Sequence, residues 1–151
     1  VSVPDYLESV RRTLAPNFTE KQISFHFQCA YRGRVRLDPE RFIRVLVNIV
    51  SNAVDAMADS GAGRFFLRAR AVDQKLRLDL TDNGGGIPLE IQDKIFEPFV
   101  TAGKPEGTGL GMAIAHSVVE AHGGTIRFRT GPGGTTFTIE LPLDQVEADA
   151  G

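Results

Sequence analysis

Asp82-Asn83-Gly84-Gly85-Gly86-Ile87-Pro88, followed at a distance by Gly107-Thr108-Gly109-Leu110-Gly111, is the pair of glycine clusters around which the chain can be read. The first stands where an apolar alternating run ends, so it reads as a strand-end turn. The second feeds into a helical pattern from Leu110 to His122. Glycines gather where a backbone turns sharply or comes close to a ligand. Glycines leading into a helix also present unpaired N–H groups at the positive end of the helix dipole, which suits phosphate. The stretch from Asp82 to Ala113 therefore predicts a nucleotide site, with base recognition at the first cluster and phosphate recognition at the second.

Moving outward, Leu76, Leu78 and Leu80 alternate with polar residues over Lys75–Thr81. With Phe65–Val72 they predict a hairpin turning at Asp73-Gln74. Thr125–Thr130 and Thr135–Leu141 predict a second hairpin across Gly131-Pro132-Gly133-Gly134. Upstream, Asp38-Pro39-Glu40 is a helix start, with Asp as N-cap, Pro in the first position and an acid in the first turn. The helix from Pro39 to about Ala58 carries an apolar stripe of Phe42, Leu46, Ile49, Ala53 and Met57. Arg44, Asn48, Ser51, Asn52 and Asp55 lie on its other side. A first helix is predicted over Pro4–Leu14, ended by Pro16 and Asn17. Ile23–Cys29 alternates as a half-buried strand, Arg34–Leu37 reads as a short strand, Pro88–Ile95 as a short helix, and Gly123 as the cap of the last helix. Tight turns join most neighbouring strands, which describes an α+β sandwich: a mixed, mostly antiparallel sheet with about three helices on one face.

The chain has 151 residues, 42% of them hydrophobic and 24% charged, with a formal net charge of −2. One domain spanning residues 1–151 is expected, with an acidic, frayed tail over 144–151. No long basic run occurs, which argues against nucleic acid or an anionic membrane as partner. The single cysteine, Cys29, excludes an internal disulfide, and three scattered histidines argue against a zinc site. No apolar run is long enough to span a bilayer, and a cytoplasmic setting is expected.

Several residues stand out chemically. Asn48, Asn52 and Asp55 share one side of a helix by their spacings of four and three. Asparagine is a mediocre helix former, so two of them one turn apart invite a functional reading, in which amide oxygens hold Mg²⁺ against phosphates. A solvated helix face is the alternative. Asp82 is either ordinary turn chemistry or a carboxylate accepting a hydrogen bond from the amine of adenine. Lys104 is either a solvated loop charge or a point charge reaching a terminal phosphate. Phe96 and Phe99 are either core contacts or anchors of a closing loop. His26, His116 and His122 read as structural or solvent-facing. Neither the Rossmann nor the Walker pattern is present around Gly107–Gly111.

In their order and spacing these motifs resemble the catalytic ATP-binding domain of sensor histidine kinases, in the GHKL superfamily that also holds the gyrase B subunit and MutL. The resemblance covers Asp38 to Pro142. Asn48-Ile49-Val50-Ser51-Asn52-Ala53-Val54-Asp55-Ala56 is similar to the N box, and Asp82–Pro88 to the first glycine box. Phe96-Glu97-Pro98-Phe99 is similar to the F box, Gly107-Thr108-Gly109-Leu110-Gly111-Met112-Ala113-Ile114 to the second glycine box, and Gly133-Gly134-Thr135-Thr136-Phe137 to the last.

The resemblance implies a Bergerat-type two-layer sandwich that binds ATP and Mg²⁺. It implies Asn52 as the metal ligand, supported by Asn48, and Asp82 on the adenine amine. Gly84, Gly86 and Ile87 would lie against the base, and Thr135 would hold a water there. Thr101, Lys104, Gly107, Thr108, Gly109, Leu110 and Gly111 would lie at the phosphates, with Thr101–Glu106 as a short lid. The sequence departs from the commonest pattern at Asp55, where many members carry a basic residue and a subset carries Asp. The lid is similar to the Thr-Thr-Lys lids of nitrogen-regulation-type kinases, with one extra residue in Thr101-Ala102-Gly103-Lys104.

The implied activity is transfer of the γ-phosphoryl group of ATP to a histidine. None of the three histidines sits in a His-Glu-hydrophobic acceptor segment, so the chain is expected to be a monomeric fragment of a larger kinase. Its expected partners are a dimerisation and histidine phosphotransfer domain and a response regulator. A GHKL ATPase, a serine kinase and a non-catalytic nucleotide-sensing module are the alternatives. The first two tend to carry an acid where this chain has Asn48, and an amide takes no proton from water at neutral pH.

Overall fold

A computed structural model describes residues 1–58, 61–98 and 111–143. The elements run in the order α1 (Val3–Thr19), β1 (Ser24–Cys29), α2 (Pro39–Met57), β2 (Arg64–Val72), β3 (Lys75–Asp82), α3 (Leu89–Gln92), α4 (Gly111–Ala121), β4 (Thr125–Gly131) and β5 (Gly134–Pro142). The strands form one sheet in the order β1-β2-β3-β5-β4. β1 runs parallel to β2 and the other neighbours are antiparallel. A parallel pair needs a crossover, which α2 provides.

Asp38 caps α2 as its sequence predicts, its carboxylate accepting from the N–H groups of Glu40 and Arg41 at 3.1 and 3.3 Å. Phe42, Val45, Leu46, Ile49, Val50, Ala53, Val54 and Met57 of this helix are buried. Packed against both α1 and α4, α2 is the central helix of its layer. Burying one large apolar side chain contributes about 1.5–3 kcal/mol, so this stripe dominates the helix's placement.

The β2–β3 turn is Asp73-Gln74, both residues at positive φ, 51° and 63°. Two such residues in succession make a type I′ turn, whose twist matches the strands it joins. Helix α4 ends in a Schellman motif. Gly123 has φ 74°, its N–H donates to the carbonyl of Glu120, and that of Gly124 to the carbonyl of Val119.

Three expectations are corrected. Helix α1 does not stop at Leu14 but runs through Pro16 to Thr19. A proline there removes its own bond to the carbonyl of Arg12, which lies on the exposed side. The extra turn buries Phe18 against Phe25 and Phe65, with ring centroids 4.6 and 5.0 Å away. Packing of this aromatic cluster outweighs the lost bond. Arg34–Leu37 is not a strand. It makes an isolated bridge, Ser2 with Arg34, and Val35 exchanges backbone hydrogen bonds with Val1. Its partner is a few extended residues before α1, too short for a ladder. The short helix predicted over Pro88–Ile95 is confined to Leu89–Gln92, followed by turns.

Inward-facing positions of the sheet, among them Phe65, Leu67, Ala69, Leu76, Leu78, Leu80, Phe137, Ile139 and Leu141, are buried. Their alternating neighbours are partly or fully open on β2 and β3. The helices thus cover one face, in the α+β two-layer arrangement expected.

Candidate functional site

Register assembles the first half of the site. Phe65 pairs with Asp82, Asp82 with Thr135, and Thr130 with Thr135. These residues form one cross-strand row on the helix side, at one end of the sheet. Asp82 is 7% exposed. Its Oδ1 accepts from the Gly84 N–H at 2.9 Å. Burial pushes its carboxyl above the ordinary carboxylate range, against the opposing pull of the Gly84 and Thr135 backbone donors. A buried carboxylate with two backbone donors is held in place, and any further donor offered by a ligand strengthens the charged form.

The glycine turn after Asp82 is tied down on three sides. Asn83 accepts from the Arg64 N–H at 2.8 Å and donates to the carbonyl of Ala62 at 3.1 Å, closing the turn on the start of β2. Gly86 lies at φ 86°, and a Cβ there would stand 2.3 Å from the Gly131 carbonyl oxygen, so both backbone angle and space require glycine. The Ile87 N–H donates to Thr130 Oγ1 at 2.8 Å, and Thr130 Oγ1 lies 2.8 Å from Thr135 Oγ1. Thr130 was not among the expected site residues. In sequence it is an ordinary strand threonine. The signal that finds it is register: a tight turn between Gly131 and Gly134 sets it opposite Thr135.

Helix α2 supplies the second half. Asn48 Nδ2 donates to the carbonyl of Gly111, the first residue of α4, at 2.8 Å. Eight residues on, Ala56 touches the glycine turn: a Cβ on Gly84 would be 2.7 Å from the Ala56 carbonyl oxygen and 2.8 Å from its Cβ. Asn52 lies between, on the same i, i+4 row. At 1.5 Å rise per residue the row spans about 12 Å. It therefore runs from the base end of the predicted site, at Asp82 and Gly84, to the start of the helix that follows the second glycine cluster. Asn48 and Asn52 are half-buried and Asp55 is exposed. The bond to Gly111 commits the amide nitrogen of Asn48 and leaves its oxygen as an acceptor.

Of the remaining expected residues, Thr101, Lys104, Gly107, Thr108, Gly109 and Leu110 lie outside the described residues, as do Phe99 and the whole of the predicted lid. Phe96 is half-buried, stacked on His116 at 5.0 Å and edge-on to Phe128 at 6.0 Å. It links the segment after α3 to α4 and β4. The histidines are structural or solvent-facing, as expected. His116 meets Glu120 at 2.9 Å. His122 accepts the Asp38 N–H on Nε2 at 3.0 Å and bonds the Val118 carbonyl through Nδ1 at 2.7 Å. It therefore bridges the start of α2 to the end of α4. His26 lies outward and stacks on Phe66.

Among the described residues, no group of three or more His, Cys, Asp and Glu side chains converges. A cation at this site would be held by amide oxygen together with phosphate and water, a pattern suited to Mg²⁺. No helix among the described residues is long and apolar enough to cross a membrane.

Comparison with known proteins agrees with this geometry. Residues 37–145 match the family described as histidine kinase-, DNA gyrase B- and HSP90-like ATPase. The sensory histidine kinase/phosphatase NtrB of Klebsiella oxytoca is 41% identical over 116 residues, covering 70% of this chain and 33% of that protein. The chain thus spans about a third of the length of such curated relatives. Among solved structures, the catalytic domain of histidine kinase ThkA superposes with a TM-score of 0.82 at 30% identity, covering 95% of this chain and 93% of that one. ThkA is also known in complex with the response regulator protein TrrA; that chain shares 28% identity and a TM-score of 0.78, over 95% of this chain and 41% of it.

Proposed function

The chain belongs to the histidine kinase-, DNA gyrase B- and HSP90-like ATPase family, and on that premise we propose that it binds ATP with Mg²⁺ and presents the γ-phosphoryl group to a histidine on a separate dimerisation domain of one sensor kinase. The observation that carries the reading is the α2 row, with Asn48 against Gly111, Ala56 against Gly84 and Asn52 midway. In this reading the base lies at one end of that row and the phosphates at the other, about 12 Å away.

In this reading Asp82 accepts the exocyclic amine of adenine. The Thr130–Thr135 pair holds the wall beside it, with Gly84, Gly86 and Ile87 giving the flat approach that a base needs. Asn52 offers its amide oxygen to Mg²⁺, and Asn48 fixes the first turn of α4 so that its N–H groups face phosphate. Thr101, Lys104 and the backbone of Gly107, Thr108, Gly109, Leu110 and Gly111 complete the phosphate contacts. Bound Mg²⁺ supplies charge neutralisation across the phosphates. The chain's own contribution is positioning and donors aimed at developing charge. Asn48 favours transfer over hydrolysis, because an amide cannot serve as base toward water.

The acceptor histidine and the response regulator that receives the phosphoryl group next are partners of the whole kinase, of which residues 1–151 would form the catalytic domain. Its setting is the cytoplasm. The test mixes this chain with a separately prepared dimerisation domain and γ-labelled ATP. Acid-labile, base-stable label on that domain supports the reading. Steady release of phosphate without labelled protein overturns it in favour of an ATPase.

A further inference from the structure

The face of the sheet away from the helices carries a charge pattern that the nucleotide site does not use. β2 places Arg64, Arg68 and Arg70 there, alternating with buried residues. By register with these, β3 contributes Lys75 and Arg77, and β4 contributes Arg127 and Arg129 through β5. The acids on the same face are Asp79 and Glu140, both already engaged. Asp79 accepts from Thr138 Oγ1 at 2.7 Å and lies 3.5 Å from Arg77 Nε. Glu140 pairs with Arg127 at 2.7 Å. Among the described residues Arg64, Arg68, Arg70 and Arg129 have no carboxylate partner.

Two features make this more than a solvated surface. Arg70 stands directly opposite Arg77, and like charges facing each other across strands are destabilising. The chain as a whole has a net charge of −2, so a basic face implies that the rest of the molecule is acidic. An anionic partner is then attracted to this face and repelled elsewhere, which sets orientation as well as encounter. At one edge the face carries a stacked pair, His26 and Phe66, 4.6 Å apart, with the Arg68 guanidinium 5.4 Å from the Phe66 ring centroid.

We propose that the open face of the sheet is a docking surface for an acidic, extended segment of a partner protein. The cations are nearly all arginine, whose planar fork pairs with carboxylates two bonds at a time. They lie in rows along the strands, so side chains of an extended peptide meet them at matching spacing. Asp79 and Glu140 sit in the middle of the face, where a continuous phosphate backbone would meet them. That favours a peptide with spaced acids over nucleic acid.

The experiment titrates the full 151-residue chain with a labelled Asp/Glu-rich peptide, read by fluorescence anisotropy and by amide shifts. Binding that weakens with salt, with shifts on β2, β3 and β4, is expected. The Arg68→Glu/Arg70→Glu/Arg129→Glu variant should lose about tenfold or more in peptide affinity while binding nucleotide as before. Should that variant unfold on thermal melting, Arg68→Gln/Arg129→Gln serves in its place, with a smaller loss expected. No binding, shifts confined to other surfaces, or affinity unchanged in the variants overturns the proposal. So does tighter arginine-dependent binding of a single-stranded oligonucleotide or of anionic vesicles, which would assign the face to another class of partner.

Discussion

Replacing Gly84 by alanine probes the contact between the glycine turn and α2. The new Cβ would lie 2.7 Å from the Ala56 carbonyl oxygen and 2.8 Å from the Ala56 Cβ. An ordinary contact between carbons needs about 3.5 Å or more. Neither neighbour is a flexible side-chain tip, so turn and helix must separate. Overpacking of this kind costs about 2 kcal/mol, which for a chain of this size lowers Tm by about 4–8 °C. Ala56→Gly alone should cost about 1 kcal/mol through helix propensity. The double variant loses the Cβ–Cβ clash and keeps the clash with the carbonyl, so it should cost about 2 rather than about 3 kcal/mol, a coupling of about 1 kcal/mol. Gly85→Ala is the control: nothing lies within 4 Å of its added Cβ, and Tm should hold. Urea and thermal unfolding of the four variants measure the cycle. Strict additivity of Gly84→Ala and Ala56→Gly, or a loss at Gly85 as large as at Gly84, would falsify the placement of the turn against α2.

Asp82→Asn should weaken ATP binding about ten- to a hundredfold by calorimetry, the worth of a charge-assisted hydrogen bond; unchanged affinity would remove Asp82 from base recognition. Its raised carboxyl pKa also fixes two opposite pH trends. The folded form holds the Asp82 proton more tightly than the unfolded chain, so this group's stabilising contribution is complete below the unfolded value of about 3.9 and is lost as pH rises through the higher folded value. In the proposed role of Asp82, nucleotide binding needs the ionised acceptor and should be lost in the other direction, as pH falls through that folded value. Both trends should vanish in Asp82→Asn, which parallel melting and binding series would show. Thr130→Val strands the Ile87 N–H and the Thr135 hydroxyl; a cost of about 1–3 kcal/mol and weaker ATP binding are expected, and neutrality in both would deny it a role in holding the base wall. His122→Phe keeps an aromatic ring beside Phe42 but leaves the Asp38 N–H without its acceptor, so about 1–2 kcal/mol of stability should go with no change in nucleotide affinity; a selective loss of binding instead would mean that the α2–α4 bridge sets the site.

Helix α2 and both antiparallel hairpins could be read from the sequence because their signals are local: a cap with proline and acid, a two-sided helix, and alternation around short turns. Where local signals met tertiary packing, packing decided. Pro16 marks a helix end by every local rule, yet the burial of Phe18 against β1 and β2 carries α1 one turn further. Val35 alternates like a strand residue, but its partner is a stub before α1, invisible to periodicity. At the site, Asp82 and Asn48 stood out by residue type and spacing, while Thr130 and Asn83 did not. Their importance comes from which backbone groups they meet, Ile87 in one case and Arg64 and Ala62 in the other, and those meetings exist only after the strands have paired.

The spacing of Asn48, Asn52 and Ala56 also limits how this sequence can change length. A residue inserted between Asn48 and Ala56 would swing one end of the row by about 100° around the helix, at 3.6 residues per turn. Either Gly84 or Gly111 would lose its contact, however well the helix itself tolerated the change. The two-residue turn at Asp73-Gln74 lies at the other end of β3 from Asp82 and carries no such constraint. Related chains should therefore vary in length at that turn and keep the count between the two asparagines and Ala56 fixed, a pattern of insertions and deletions that tracks the distance from the glycine turn at Gly84 to the start of α4.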